Sequence, residues 1–113
     1  MLPRKYKLKR DKDFQRIFRQ GRYFQKDFVK LRFLRNDLKI SRFAFVVGLK
    51  ISKKAVIRNK TRRQMEEIIR LEFSQIKTGF DVVVLVEKEI LNKEYQKIER
   101  SLIDLLKQAK LWN

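Results

Sequence analysis

Seven consecutive residues, Phe80-Asp81-Val82-Val83-Val84-Leu85-Val86, contain one polar side chain, and four of them are valines. A strand that is apolar at both its odd and its even positions has no face to turn to water, so it must be covered on both sides. This places Phe80 to Val86 in the interior of a sheet, and the rest of the chain must supply its neighbours and its cover. The chain has 113 residues, 43% of them hydrophobic. That is enough for one domain with a real core and too little for two of ordinary size, so residues 1–113 are read as a single domain.

The neighbours can be read from periodicity. From Phe28 the pattern has period two, with Val29, Leu31 and Phe33 pointing one way and Phe28, Lys30, Arg32 and Leu34 the other. Asn36-Asp37 supplies a turn, and Ile40 to Leu49 alternates again, which makes an antiparallel hairpin the simplest reading. Helical spacing appears three times. Phe14, Ile17 and Phe18 follow Asp11, a candidate N-cap, and precede Gly21, which can take the left-handed position that ends a helix. Met65, Ile68, Ile69, Leu71 and Phe73 mark a helix from about Lys53 to Phe73, with Ser52 as a possible cap. Tyr95, Ile98, Leu102, Leu105, Leu106 and Ala109 mark the last helix. Residues 1–10, with five Lys and Arg and the only proline, read as a loosely held basic lead-in. The order α-β-β-(β)-α-β-α describes a small two-layer α+β sandwich.

The helix that follows the second strand is charged against its own dipole. Lys53 to Arg63 holds six basic groups and no acidic one, while Glu66, Glu67 and Glu72 lie toward the negative end. Each misplaced exposed charge costs about 0.3–1 kcal/mol, and a bound polyanion would reverse the sign. Phosphates at such a helix N-terminus meet free N–H groups, the dipole and the cations together. The whole chain supports a polyanionic partner, with a net charge of +17. Residues 1–63 hold 22 Lys and Arg against 4 acids, whereas residues 64–113 hold 8 against 9. The first half therefore makes the contact, and the second mainly completes the core.

The same composition narrows the chemistry. Cys and His are both absent, which removes disulfides, thiolate metal sites, and every catalytic arrangement built on imidazole. No carboxylate cluster with metal-ligand spacing is visible, and three glycines form no phosphate-binding loop. No catalytic residue is assigned to this chain. No apolar run approaches the ~20 residues of a membrane span, and the N-terminus has no apolar signal core, so a cytoplasmic location is expected. Basic groups interleaved with aromatics suit single-stranded nucleic acid, where cations track the backbone and rings stack on bases. Phe14, Phe18 and Phe28, with Lys30 and Arg32, are the candidates. Core packing is the commoner fate of a Phe pair at i, i+4.

These residues resemble a family. Ile51-Ser52-Lys53-Lys54 followed by Ala55-Val56-Ile57-Arg58-Asn59-Lys60-Thr61-Arg62-Arg63 is similar to the arginine-asparagine-arginine signature of the bacterial ribonuclease P protein subunit. Asp13 to Gly21 resembles that family's first helix, Phe28-Val29 its next strand, and Gly79 to Val84 with the Tyr95 to Trp112 segment its end. Three departures stand out. Lys54 joins Ala55 directly where members commonly carry a Gly-Asn pair, Glu66 stands where an arginine is often found, and Leu31 stands where an aromatic is common in the cleft strand.

The resemblance implies a left-handed βαβ crossover, a partner in the catalytic RNA of ribonuclease P, and precursor tRNA as substrate. It implies that the RNA uses Mg²⁺ to remove the 5′ leader, with no cofactor bound by the protein and no protein partner. By position, Lys54, Arg58, Asn59, Lys60, Arg62 and Arg63 would face the catalytic RNA. Phe14, Phe18, Lys30, Leu31, Lys50 and Lys53 would serve the leader. A basic ribosomal or ribonucleoprotein-assembly protein shares the charge and size and is the main rival. A self-sufficient metal-dependent nuclease is the second.

Overall fold

The apolar run Phe80–Val86 is an inner strand, as its composition requires. In the computed structural model, which describes residues 2–113, a four-stranded sheet has the order β1-β2-β4-β3. Here β1 is Arg22–Lys26, β2 is Val29–Arg35, β3 is Arg42–Val46 and β4 is Phe80–Val86. Three helices accompany it: α1 (Asp11–Gln20), α2 (Ala55–Leu71) and α3 (Tyr95–Gln108). The expected mixed α+β order is present.

β4 pairs antiparallel with β2 and parallel with β3, and α2 makes the crossover between the two parallel strands. The hairpin expected between residues 28–34 and 40–49 does not form, because β4 lies between those strands. The actual hairpin is β1–β2, closed by Asp27-Phe28, with Asp27 at φ 54. The Asn36-Asp37 turn is present: Asn36 Oδ1 accepts from the Leu38 N–H at 2.8 Å, and Asp37 has φ 60. It redirects the chain without pairing the flanking strands.

Period two sorts the side chains into two cores. Val29, Leu31, Phe33, Val82 and Val84 join Phe28, Phe43, Met65, Ile68, Leu102 and Leu105 in the larger one, under α2 and α3. On the other face, Ile17 of α1 packs with Leu8 and Val83, with Phe14, Leu34, Ala44 and Leu85 around them. α1 is thus a strap across part of one sheet face.

Several local expectations are corrected. Gly21 has φ −72 and is not left-handed. It is needed for closeness: a Cβ there would lie 2.4 Å from Ile17 O and 2.9 Å from Phe33 O. Asp11 is the first residue of α1, and Arg10 takes the cap position with no side-chain bond. The lead-in is anchored at two residues. Leu2 and Leu8 are buried, the Leu8 N–H donates to Phe43 O at 2.8 Å, and the Leu2 N–H donates to Glu66 Oε1 at 2.9 Å. Phe28 is 1% exposed in the larger core, which removes it from the base-stacking candidates.

Candidate nucleic-acid interface

Strand register shows what α1 leaves open. Paired residues share a face, so the α1 side of the sheet presents three rows: Leu34–Asp81–Arg42, Arg32–Val83–Ala44 and Lys30–Leu85–Val46. The first row is tied to α1 by ions. Asp81, fully buried, is gripped by Arg42, and it lies 3.9 Å from Arg16 Nη2; Asp13 Oδ2 lies 3.6 Å from Arg42 Nη2. The hydrogen bond to Asp81 is the main reason the Arg42 guanidinium is held above its ordinary basicity. In the third row Val46 is exposed and Lys30 half-exposed.

Beside these rows lies a groove of about 300 Å³, with Phe14 of α1 on one wall, Ala44 and Val46 of β3 on the floor, and Arg62 of α2 opposite. Lys7 and Lys9 of the N-terminal segment line it as well. Glu66, the one carboxylate at its edge, is already committed to Lys7 Nζ at 3.3 Å and to the Leu2 N–H. Phe14 and Phe18 also share an open shelf on the outer side of α1 with Asp11 and Arg19. Phe18 is 43% exposed, and the Arg32 guanidinium sits 5.4 Å from its ring and 5.1 Å from that of Tyr23. A cation between two exposed rings is a stacking surface of the type that single strands use.

α2 presents the basic block. It starts at Ala55, two residues later than expected, so Lys53 and Lys54 precede it and Lys54 takes the cap position. No side chain caps this end and no acid lies in the first turn. Ser52 stops short of capping, since its Oγ accepts only from the Lys54 N–H at 3.2 Å. Arg58 is half-buried and donates from Nη1 to Ser52 O at 2.9 Å, which steadies the loop before the helix. Asn59, Lys60 and Arg63 are exposed. The dipole inversion is softened at the far end, where Arg70 lies in the last turn and pairs with Glu67.

The structure therefore brings together Phe14 and Arg62, with Lys30 in the third row of the same sheet face. Lys50 and Lys53 are exposed on the loop between β3 and α2 and do not line the groove. Leu31 is corrected: it is fully buried in the larger core, because the alternation of β2 sends it to the face opposite Lys30 and Arg32. The β2 residues available to a ligand on the α1 side are Lys30 and Arg32. Tyr23 was missed because β1 was not recognised; its sequence signal, Arg22-Tyr23-Phe24 before the Lys26-Asp27 turn, is short. Among the described residues no three acidic groups come together to hold a metal ion, and no helix is long and apolar enough to cross a membrane.

Comparison with known proteins bears on the family and the fold. A family model described as Ribonuclease P matches residues 2–110. The ribonuclease P protein component of Synechocystis sp. is 37% identical over 109 residues, covering 96% of this chain and 88% of the relative. That of Clostridium botulinum strain 657 is 32% identical over 108 residues, covering 95% and 96%. Among solved structures, the Staphylococcus aureus RNase P protein superposes with a TM-score of 0.88 at 28% identity, covering 96% of this chain and 98% of that one. The Thermotoga maritima RNase P protein gives 0.83 at 32% identity, covering 90% and 96%.

Proposed function

Because the chain belongs to the ribonuclease P protein family, we propose that it is the protein subunit of ribonuclease P, binding the catalytic RNA along α2 and the 5′ leader of precursor tRNA in the groove beside α1. The observation that carries this reading is the adjacency of two surfaces with different chemistry. One is a helix start with free N–H groups and unpaired cations, suited to the phosphates of a folded RNA. The other is a groove with an aromatic wall, an aliphatic floor and cations at its edge, suited to an extended strand. Arg62 belongs to both, so a strand in the groove would be held at a fixed offset from the docked RNA.

On this reading the protein supplies position, and the chemistry of cleavage belongs to the RNA. The chain has no His, its buried carboxylate Asp81 is saturated by Arg42 and Asn36, and Glu66 at the groove's edge is held by Lys7 and the Leu2 N–H, so no carboxylate of the groove is left unpaired to carry a proton. The carboxylates of the described residues do not fit a metal site, and the Mg²⁺ that the family's reaction uses is assigned to the RNA. The protein's part is to fix the leader relative to the scissile bond, which converts binding free energy into rate.

Incubating precursor tRNA and Mg²⁺ with the protein alone, the RNA subunit alone, and both at low salt tests this reading. Cleavage should need the RNA and improve with the protein. Cleavage by the protein alone would overturn it, and no effect of the protein on cleavage by the RNA would favour the ribosomal-assembly alternative.

A further inference from the structure

The α3 side of the sheet is left partly open at the end away from the start of α2. There the residues Arg22–Phe33–Val82 and Arg35–Phe80 form the last two rows. The segment that follows α3 folds against them and leaves a groove of about 370 Å³, within the size range of small-ligand sites. Its floor is aromatic, with the Phe33 and Phe80 rings 6.0 Å apart and nearly perpendicular. Its rim is cationic, formed by Arg22, Arg35 and Lys110, and no acidic side chain lines it. All three cations are exposed, and none has a salt-bridge partner among the described residues. Two of the three are steadied by rings, Arg22 at 5.3 Å from Phe24 and Arg35 at 5.5 Å from Phe80.

Lys110 supplies an independent sign that the rim is retained for a purpose. α3 ends in a Schellman motif, with the Leu111 N–H donating to Leu106 O at 2.9 Å and the Lys110 N–H to Lys107 O at 3.0 Å. The residue between, Lys110, has φ 63, the left-handed conformation for which glycine is the ordinary choice. The chain accepts backbone strain there, and the lysine it keeps brings a third cation to the groove.

We propose that this groove is a second RNA-contact site, taking one nucleotide of a single strand with its base against the half-buried Phe80, which Phe33 backs from the core, and its phosphate among Arg22, Arg35 and Lys110. An acidic peptide would satisfy the cations but offer the Phe80 ring no planar partner, so the aromatic floor favours a nucleotide. The site lies on the sheet face opposite Phe14 and toward the β1–β2 side, whereas Arg62 meets Phe14 at the β3 edge, so a strand held there is separate from one in the first groove. The proposal relies on the ribonuclease P reading only for where the strand comes from.

The test is a titration of the ¹⁵N-labelled full chain with AMP, ribose 5-phosphate, inorganic phosphate and pentaglutamate, followed through backbone amides. AMP should shift Arg35, Phe80 and Leu111 and bind them about fivefold more tightly than ribose 5-phosphate does. Lys110→Gly should raise the melting temperature, because it relieves the left-handed strain, and weaken AMP at these amides by about threefold. Arg35→Gln should weaken it similarly, with any response at Phe14 and Arg62 unchanged. Equal affinity for AMP and inorganic phosphate would mean an adventitious anion site, and equal affinity for pentaglutamate would mean a peptide site; either overturns the proposal. So would unchanged AMP binding in Lys110→Gly. Failure of the cleavage assay with these results intact would count against the ribonuclease P reading and leave this site standing.

Discussion

Arg42 and Asp81 are direct partners across the parallel pair β3–β4, and Arg42 donates from Nε to Oδ1 at 2.8 Å and from Nη2 to Oδ2 at 2.7 Å. Asn36 Nδ2 adds a third bond to Oδ1 at 2.9 Å, and Asp13 and Arg16 join from α1. One carboxylate thus fastens the Asn36 turn, both strands and the strap helix. A buried pair of this kind need not exceed its own desolvation cost, but removing one member leaves the other charged and alone. Asp81→Ala should therefore lower stability by about 3–5 kcal/mol in urea melts. A loss under about 1 kcal/mol would show that α1 is seated by apolar contacts alone.

The uncapped start of α2 gives a variant in which stability and function move oppositely. Lys54→Asp places a capping acceptor and a negative charge at the positive end of the dipole, so the free protein should gain about 0.5–2 kcal/mol. The same charge meets RNA phosphates, and assembly with the catalytic RNA should weaken by about tenfold, or about 1.4 kcal/mol. Thermal melts and a binding titration on one preparation check both signs. A more stable protein with unchanged RNA affinity would dissociate the helix start from RNA docking.

Arg62 and Arg63 are adjacent in sequence but only Arg62 reaches the groove, which it lines with Phe14, while Arg63 lies beside Val56 and Tyr95 on the flank of α2 toward α3. Arg62→Ala should weaken binding of a single-stranded leader oligonucleotide, and Arg63→Ala should weaken only the catalytic RNA, by about 1–3 kcal/mol in each case. Filter binding with the two RNAs separates them. Identical effects of both substitutions on both RNAs would contradict the division.

Asp27, in the β1–β2 turn, accepts a hydrogen bond from Ser101 Oγ at 2.8 Å, and chiefly for that reason its carboxyl is held below the ordinary value of 3.8. A depressed folded value means that the contact stabilises the protein above pH 3.8 and that this contribution fades as the pH falls through the folded value. Ser101→Ala should therefore melt below the wild type at neutral pH, and the gap should narrow as the solution is acidified below pH 3.8. Melts across that range read the difference directly. A gap that does not change with pH would assign the effect of Ser101 to packing.

The helices and three of the four strands were legible because their apolar spacing is enforced by burial on known faces. Phe80–Val86 was readable as an inner strand for the same reason, and Leu31 was correctly paired with Val29 and Phe33 on one side of β2. Assigning Leu31 to the leader by family position then set that alternation aside, and the structure restores it. The pairing of β3 with β4 was not legible, because it joins residues 39 positions apart in the chain, as with Arg42 and Asp81, and local periodicity carries no such information. β1 was hidden by its mostly exposed, polar pattern. The groove's composition could be anticipated, since Phe14 and Arg62 were both named, but their adjacency depends on that same long-range pairing.

β4 is the last strand to be synthesised and the one that joins β2 to β3. A ribosome that has made residues 1–63 has already produced 22 of the 30 basic side chains. At that point β1–β2 and β3 have no shared neighbour, Asp81 does not yet exist, and α1 has no seat. Charge therefore comes off the ribosome well before shape does. A chain truncated ahead of residue 80 is a polycation without an ordered sheet, and on the function proposed above its selectivity among RNAs would arrive only when Phe80–Val86 slides between the two strands that were waiting for it.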